Sequence, residues 1–217
     1  MDDERSLPQI DIATIVVGEL ETNCYLLIRQ DTKEAVVIDP GADEAPLREA
    51  LRGLVVTDIL LTHAHFDHIG GLLAVCAAAP SEVKIWGHQA EARWPADPRL
   101  NLSAFMNPDA EIKMPTPTHI LEGDGCLSCL GGKIEYFHTP GHTPGHMVYR
   151  LGEAVFTGDL VFSDGVGRTD LPGGSHDALR RSIRRAVRPM AGSTRLYPGH
   201  GPATTVEEQK LYNPYFV

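Results

Sequence analysis

With 217 residues the chain can build one domain with a full core, and its 42% hydrophobic content is ordinary for a globular protein. A formal net charge of −10 argues against a general nucleic-acid binder, which needs a basic surface to meet phosphate. No apolar run approaches the roughly 18 residues of a membrane span, so no membrane partner is expected. The acidic N-terminus, Met1-Asp2-Asp3-Glu4-Arg5, is the reverse of a basic export leader, and a cytoplasmic location is the expectation.

In chain order, Ile10 to Gly18, Cys24 to Arg29 and Ala35 to Ile38 read as successive strands, the last running into Asp39-Pro40-Gly41. Asp43 to Arg52 reads as a helix with leucine and alanine on one face and acidic residues at its start. Val55 to Leu61 is the next strand. His68 to Ala79 reads as one helix, apolar nearly all round and hence expected to be buried. A strand near Val83 to Trp86 follows. The stretch from Trp94 to Thr118 carries seven prolines and asparagines, which makes 94–118 a loop-rich insertion beside the site and a candidate substrate lid. Strands alternate again from Ile120 to Phe156. An arginine-rich helix opened by Ser175 or Asp177, a strand at Arg195 to Tyr197 and a short C-terminal helix complete a single domain over 1–217.

The chemistry concentrates at Thr62-His63-Ala64-His65-Phe66-Asp67-His68, directly after the apolar run Ile59-Leu60-Leu61. If the strand continues, side chains 63, 65 and 67 point to one side, at the carboxyl end where α/β folds keep their sites. Three later fragments each place one ligand type beside glycine or proline after an apolar or aromatic run. They are Thr139-Pro140-Gly141-His142-Thr143-Pro144-Gly145, Phe156-Thr157-Gly158-Asp159 and Tyr197-Pro198-Gly199-His200-Gly201-Pro202. Five histidines and two aspartates exceed what one tetrahedral zinc uses. Two metals sharing a carboxylate would use them all: His63, His65 and His142 on one, Asp67, His68 and His200 on the other, Asp159 between them.

This ordered set, with its H-x-H-x-D-H motif, resembles the metallo-β-lactamase fold hydrolases, from Thr22-Asn23-Cys24-Tyr25-Leu26 to Asn213-Pro214-Tyr215. The resemblance implies an α/β four-layer αββα sandwich with two divalent metal ions at one edge, zinc foremost and iron or manganese compatible. Within the superfamily, Gly165-Val166-Gly167-Arg168-Thr169-Asp170 and Tyr197-Pro198-Gly199-His200-Gly201-Pro202 resemble short bacterial glyoxalase II, the hydroxyacylglutathione hydrolases. That implies a small-molecule glutathione thiolester such as S-D-lactoylglutathione as substrate, cleaved by a metal-bridging hydroxide. It also implies Asp67 as ligand and proton acceptor, and Arg168 beside the glutathione moiety unless it pairs with Asp164 or Asp170. Full-length glyoxalase II carries a helical C-terminal domain, whereas only Gly201 to Val217 follow His200 here, so a more open site is expected. The alternatives are an iron persulfide dioxygenase holding one metal through His63, His142 and Asp159, and a dinuclear lactone or phosphodiester hydrolase.

Other groups read as structural. Cys24 and Cys76 sit in apolar segments as buried small hydrophobes. Cys126 and Cys129 form a lone C-x-x-C in a short hairpin strand, with a redox or metal role as the alternative to a structural one. Arg180, Arg181, Arg184, Arg185 and Arg188 lie along one side of their helix, as a solvated face or an anion-binding patch. His88, His119, His138, His146 and His176 fall outside the ligand motif and read as residues behind the ligands or on the surface, not as ligands themselves. Oligomeric state is not encoded legibly.

Overall fold

The computed structural model describes residues 8–106 and 111–216. The acidic N-terminal stretch and residues 107–110 of the 94–118 segment lie outside the described residues.

Two mixed six-stranded sheets face each other. The first runs in chain order through β1 (Ile10–Val17), β2 (Thr22–Arg29), β3 (Glu34–Ile38), β4 (Val55–Leu60), β5 (Lys84–His88) and β6 (His119–Leu121). The second is ordered β12-β11-β10-β9-β8-β7, built from β7 (Gly125–Cys129), β8 (Gly132–His138), β9 (Met147–Leu151), β10 (Ala154–Gly158), β11 (Arg195–Pro198) and β12 (Thr204–Thr205). Strands β3 to β6 pair in parallel, as do β10 and β11, and the other pairings are antiparallel.

Strand alternation explains the layers. In β2, Leu26 faces outward to meet Leu47 and Leu51 around helix α1 (Ala45–Ala50) and Leu72 and Val75 of α3 (Leu72–Ala78). Its neighbour Leu27 faces inward, joining Val36, Ile38 and Leu60 against Ile134, Tyr149 and Phe156 of the second sheet. On that sheet Val148 and Val155 face away, onto Leu179 and Ile183 of the arginine-rich segment and Val206 of α6 (Val206–Tyr212). Central strands are therefore buried on both faces, which is why they read as unbroken apolar runs instead of alternating ones. The result is the four-layer αββα sandwich, in one domain.

Two expectations need correction. The segment after the metal motif is two helices, α2 (Phe66–Ile69) and α3, because Gly70 and Gly71 pack tightly on the backbone of residues 40–42. Helix α3 is apolar all round, as expected, but is not buried all round: it buries Leu72 and Val75 and leaves Leu73 55% exposed. Cys76 likewise is only partly buried, whereas Cys24 is fully buried. The 94–118 stretch contains a single turn of 3-10 helix at Trp94–Ala96 and the short α4 (Ser103–Met106). The arginine-rich helix starts at Ser175, whose side chain accepts the Ala178 N–H, and runs as α5 (His176–Ser182) into a π-type turn, Ile183–Val187. Among the described residues no helix is long and apolar enough to cross a membrane.

Candidate metal centre

All the sequence-predicted ligands gather at one edge of the sandwich, beyond the carboxyl ends of β4, β8, β10 and β11. The route differs from a continued strand. β4 ends at Leu60; residues 61–65 form an extended loop, and Asp67 lies in the first turn of α2. Consequently His63 and His65 face one cluster while Asp67 turns to another.

In the first cluster, Nδ1 of His65 lies 3.1 Å from Nε2 of His63 and 3.0 Å from Nε2 of His142. In the second, Oδ2 of Asp67 lies 3.4 Å from Nε2 of His68 and 3.2 Å from Nε2 of His200. Asp159 spans the two. Its Oδ1 is 3.4 Å from His68 Nε2 and 3.7 Å from His200 Nε2, and its Oδ2 is 3.6 Å from His142 Nε2. Each triad has its ligand atoms within 4.8 Å of one another.

The outer edges of the rings are spoken for. His142 Nδ1 donates to the Arg168 carbonyl at 2.8 Å, His200 Nδ1 to the Leu20 carbonyl at 2.9 Å, and His68 Nδ1 to Asp39 at 2.9 Å. His63 Nδ1 meets the Thr62 hydroxyl, which itself donates to Asp39 Oδ2 at 2.5 Å. With these protons committed outward, the Nε2 atoms of His63, His142 and His200 can present lone pairs inward, the tautomer a metal requires, and His68 Nε2 points inward as well. Three buried polar atoms here, His65 Nε2, His68 Nε2 and Asp159 Oδ1, have no hydrogen-bond partner. Such orphans are costly inside a protein, and two of the three belong to the inward-facing donor set that a divalent ion would satisfy. The donor set fits two metal ions.

Charge follows the same logic. Burial, then the neighbouring imidazoles, hold His63 well below the ordinary histidine range and His65 down at about 3, so both are neutral donors at pH 7. For His68, burial alone would lower the value, but Asp67, Asp159 and Asp39 outweigh it and hold it well above the ordinary range. Burial would raise the Asp159 carboxyl, yet His68 and His142 keep it far below the usual carboxylate range. Three carboxylates thus surround His68 and favour its protonated form where a metal cation would otherwise balance them.

Four supports surround these donors; His146 was expected as a supporting or surface residue, whereas Asp39, Glu91 and Asn23 were not expected there. Asp39, in left-handed backbone (φ 49°), also receives the Thr62 N–H at 2.7 Å. It comes within ligand range of His63 and His68, but its oxygens already accept three hydrogen bonds and so orient ligands. Glu91 is buried and ties the two histidine-bearing loops together, accepting from Ala64 N–H at 2.8 Å and Gly145 N–H at 2.6 Å. His146, fully buried, accepts the Asp159 N–H at 3.1 Å. Asn23 donates to the carbonyls of Pro198 and Gly201, fixing the His200 loop to β2 across the sandwich. Gly199 has no room for a side chain: a Cβ there would lie 2.3 Å from Asp159 Oδ1.

Beside the clusters is a cleft of about 500 Å³, lined by ligands on its floor and by Leu20, Phe66, Leu102, Phe105, Met106 and Leu171 on its walls. Arg168 is at its rim, with its guanidinium in a two-pronged pair with Asp170 at 2.8 Å. The remaining motifs lie elsewhere. Cys126 and Cys129 sit three apart on β7, so their side chains leave opposite faces, and both are free thiols. Burial pushes the Cys129 thiol up to about 12, which makes it unreactive. Arg185 pairs with Asp124 and Arg188 donates to the Phe216 carbonyl. His88 and His138 stack on each other with ring centroids 3.8 Å apart.

This fold and this edge of histidines and aspartates define a metal-binding class within the α/β sandwiches. Residues 17–200 match the metallo-beta-lactamase superfamily, and the chain belongs to it. It is 37% identical to the probable metallo-hydrolase YqgX of Bacillus subtilis over 92% of this chain and 94% of that protein. It is 33% identical to the hydroxyacylglutathione hydrolase GloC of Haemophilus influenzae over 95% of this chain and 98% of that protein. Among solved structures, the B3 metallo-beta-lactamase BLEG-1 superposes with a TM-score of 0.87 at 36% identity, covering 95% of this chain and all of that one. The protein TTHA1623, solved in a di-iron-bound form, does so with a TM-score of 0.79 at 36% identity, covering 94% and 99%.

Proposed function

We propose that this metallo-hydrolase cleaves acyl thiolesters of the S-D-lactoylglutathione type. The observation that carries the reading is Asp159, one oxygen of which faces each of two three-residue clusters on the floor of an open cleft. His63, His65 and His142 would hold one divalent ion, and Asp67, His68 and His200 the other, with Asp159 shared. Imidazole and carboxylate donors suit zinc first, and iron or manganese as well. Bound there, such ions supply Lewis acidity toward a carbonyl and bring the pKa of water toward neutrality.

The chain itself contributes orientation and proton handling. Asp67, which lines the cleft with its Oδ2 within reach of the Thr22 hydroxyl and His200, would serve as ligand and as acceptor for a proton from the attacking water. Among the described residues outside the ligand set, the cleft lining holds no carboxylic acid, phenol or further histidine that could protonate a departing group. A thiolate leaves without such help, whereas an amide nitrogen does not, and this favours a thiolester over a lactam. Arg168, paired with Asp170 at the rim, would border the thiol arm of the substrate where it leaves the cleft. The near full-length likeness to GloC supports the same substrate class. A mononuclear iron dioxygenase would use His63, His142 and Asp159 and leave Asp67, His68 and His200 converged for no purpose.

The test is hydrolysis of S-D-lactoylglutathione and other acyl thiolesters by zinc-reconstituted protein, beside an Asp159→Asn variant. Turnover with kcat/KM above about 10⁴ M⁻¹s⁻¹ on any thiolester, lost in the variant, supports the reading. Metal-replete protein inert on every thiolester overturns it.

A further inference from the structure

The walls of the cleft do not match a charged substrate. Leu20, Phe66, Leu102, Phe105, Met106 and Leu171 line it, and the one lysine or arginine among the described lining residues, Arg168, is already paired with Asp170. Phe105 and Met106 project from α4 with 70% and 62% of their surface open to solvent, unusual for side chains of this size at the mouth of a polar site. Their position is built in. Asn101, fully buried, donates to the carbonyls of Pro95 and Ile112 and accepts the Ser103 N–H. Its own carbonyl takes the Phe66 N–H at 2.9 Å, which joins the base of α4 to the metal loop. Leu102 then turns through left-handed backbone (φ 72°), a strained conformation for a leucine that is kept where surroundings over-determine it.

Resting on the thiolester reading, we infer that the preferred substrate carries an apolar acyl chain, longer than lactoyl, which lies along the Leu20–Phe66–Phe105–Met106 wall. A thiolester has two arms. A glutathione arm brings two carboxylates and one ammonium, and seating it among these side chains would strip water from charges with one neutralised arginine in return. The acyl arm is the one the wall can take. A lactoyl group, three carbons with a hydroxyl, offers Phe105 and Met106 little apolar surface, whereas a chain of about six to eight carbons would bury several methylenes against them. The thiol arm then projects toward the open side of the cleft past Arg168.

Two measurements test this on the zinc-loaded full chain. The first is binding of straight-chain carboxylates, from acetate to octanoate, by calorimetry. The second is kcat/KM over acetyl to octanoyl thiolesters of glutathione and of an uncharged small thiol. Expected is a two- to fourfold gain in affinity per added methylene, a parallel rise in kcat/KM, and a hexanoyl-to-lactoyl ratio above tenfold. In the Phe105→Ala/Met106→Ala variant, both changed side chains being exposed, the chain-length dependence flattens. Affinities and rates within twofold across the series, or no binding at any length, overturn the inference. Chain-length-dependent binding that flattens in the variant, without turnover of any thiolester, upholds the apolar subsite and overturns the thiolester reading alone.

Discussion

His68 Nδ1 lies 2.9 Å from Asp39 Oδ2 with both side chains buried, so a carboxylate outside the two triads fixes the ring of a ligand inside one. Metal ligands oriented in this way lose roughly 10- to 100-fold in metal affinity when the support is removed. Asp39→Asn replaces one acceptor oxygen with an NH2 that faces either the Thr62 N–H or the His68 Nδ1–H. Zinc affinity measured by chelator competition is expected to fall in that range. An unchanged affinity would show that His68 is held by packing alone.

The same residue makes metal uptake a proton-releasing step. In the metal-free protein His68 stays charged well above 6.5, against the cost of burial, because Asp67, Asp159 and Asp39 surround it. Its pairing therefore contributes stability that is fully present below pH 6.5 and fades as pH rises through the raised folded-state value. A divalent ion takes the Nε2 position and displaces that proton. Calorimetric zinc titrations at pH 7 in buffers of different ionisation enthalpy should report net proton release. Apparent affinity should weaken with acidification. Buffer-independent heats would contradict the charged state of His68.

Much of this centre was readable in the sequence, and the limits of that reading are physical. The converging donor set was legible because seven such groups close to glycine and proline after apolar runs have few other uses. The partition between clusters survived even though its geometric premise, a strand continuing through Asp67, did not: β4 stops at Leu60 and the chain turns into α2. Asp39, Glu91 and Asn23 were not legible as site residues. Each acts on backbone N–H or C=O groups or on ring edges brought close only by the fold, as when Asn23 reaches the Pro198 carbonyl 175 positions away. For Asp39 a signal was present, a polar residue closing an apolar strand just before Pro40-Gly41, the kind of position where backbone strain and function coincide.

Gly199 is a sharp test of packing around the shared carboxylate. A Cβ there would sit 2.3 Å from Asp159 Oδ1 and 2.8 Å from His68 Cε1. His68 is held by Asp39, and the Asp159 backbone N–H by His146, but Oδ1 of Asp159 has no hydrogen bond to hold it, so the carboxylate is the group that gives way. Gly199→Ala should therefore displace Asp159 from between the clusters. The expected readouts are a fall in bound metal from about two to about one ion per chain and a loss of hydrolysis of at least 100-fold. Retention of both ions, measured by elemental analysis after gel filtration, would show that the loop relaxes instead.

Glu91 links stability to pH from a position that touches no ligand atom. Its two oxygens each take one backbone N–H, from Ala64 and Gly145, so it pins the His63–His65 loop to the His142 loop. Glu91→Gln keeps one acceptor and sets an NH2 against the other N–H, at a cost of about 1–3 kcal/mol for a buried unsatisfied group. Burial raises the Glu91 carboxyl from 4.5 to about 7, against the hydrogen bonds that favour its charged form. Between those values the folded state binds more protons than the unfolded one, and wild-type stability falls as pH climbs through the window. The glutamine variant lacks this contribution. Denaturant unfolding of chelated protein from pH 4.5 to 7.5 should therefore show the wild type losing more stability than the variant. Parallel curves would mean that Glu91 is ionised throughout and serves the loops only as a fixed acceptor.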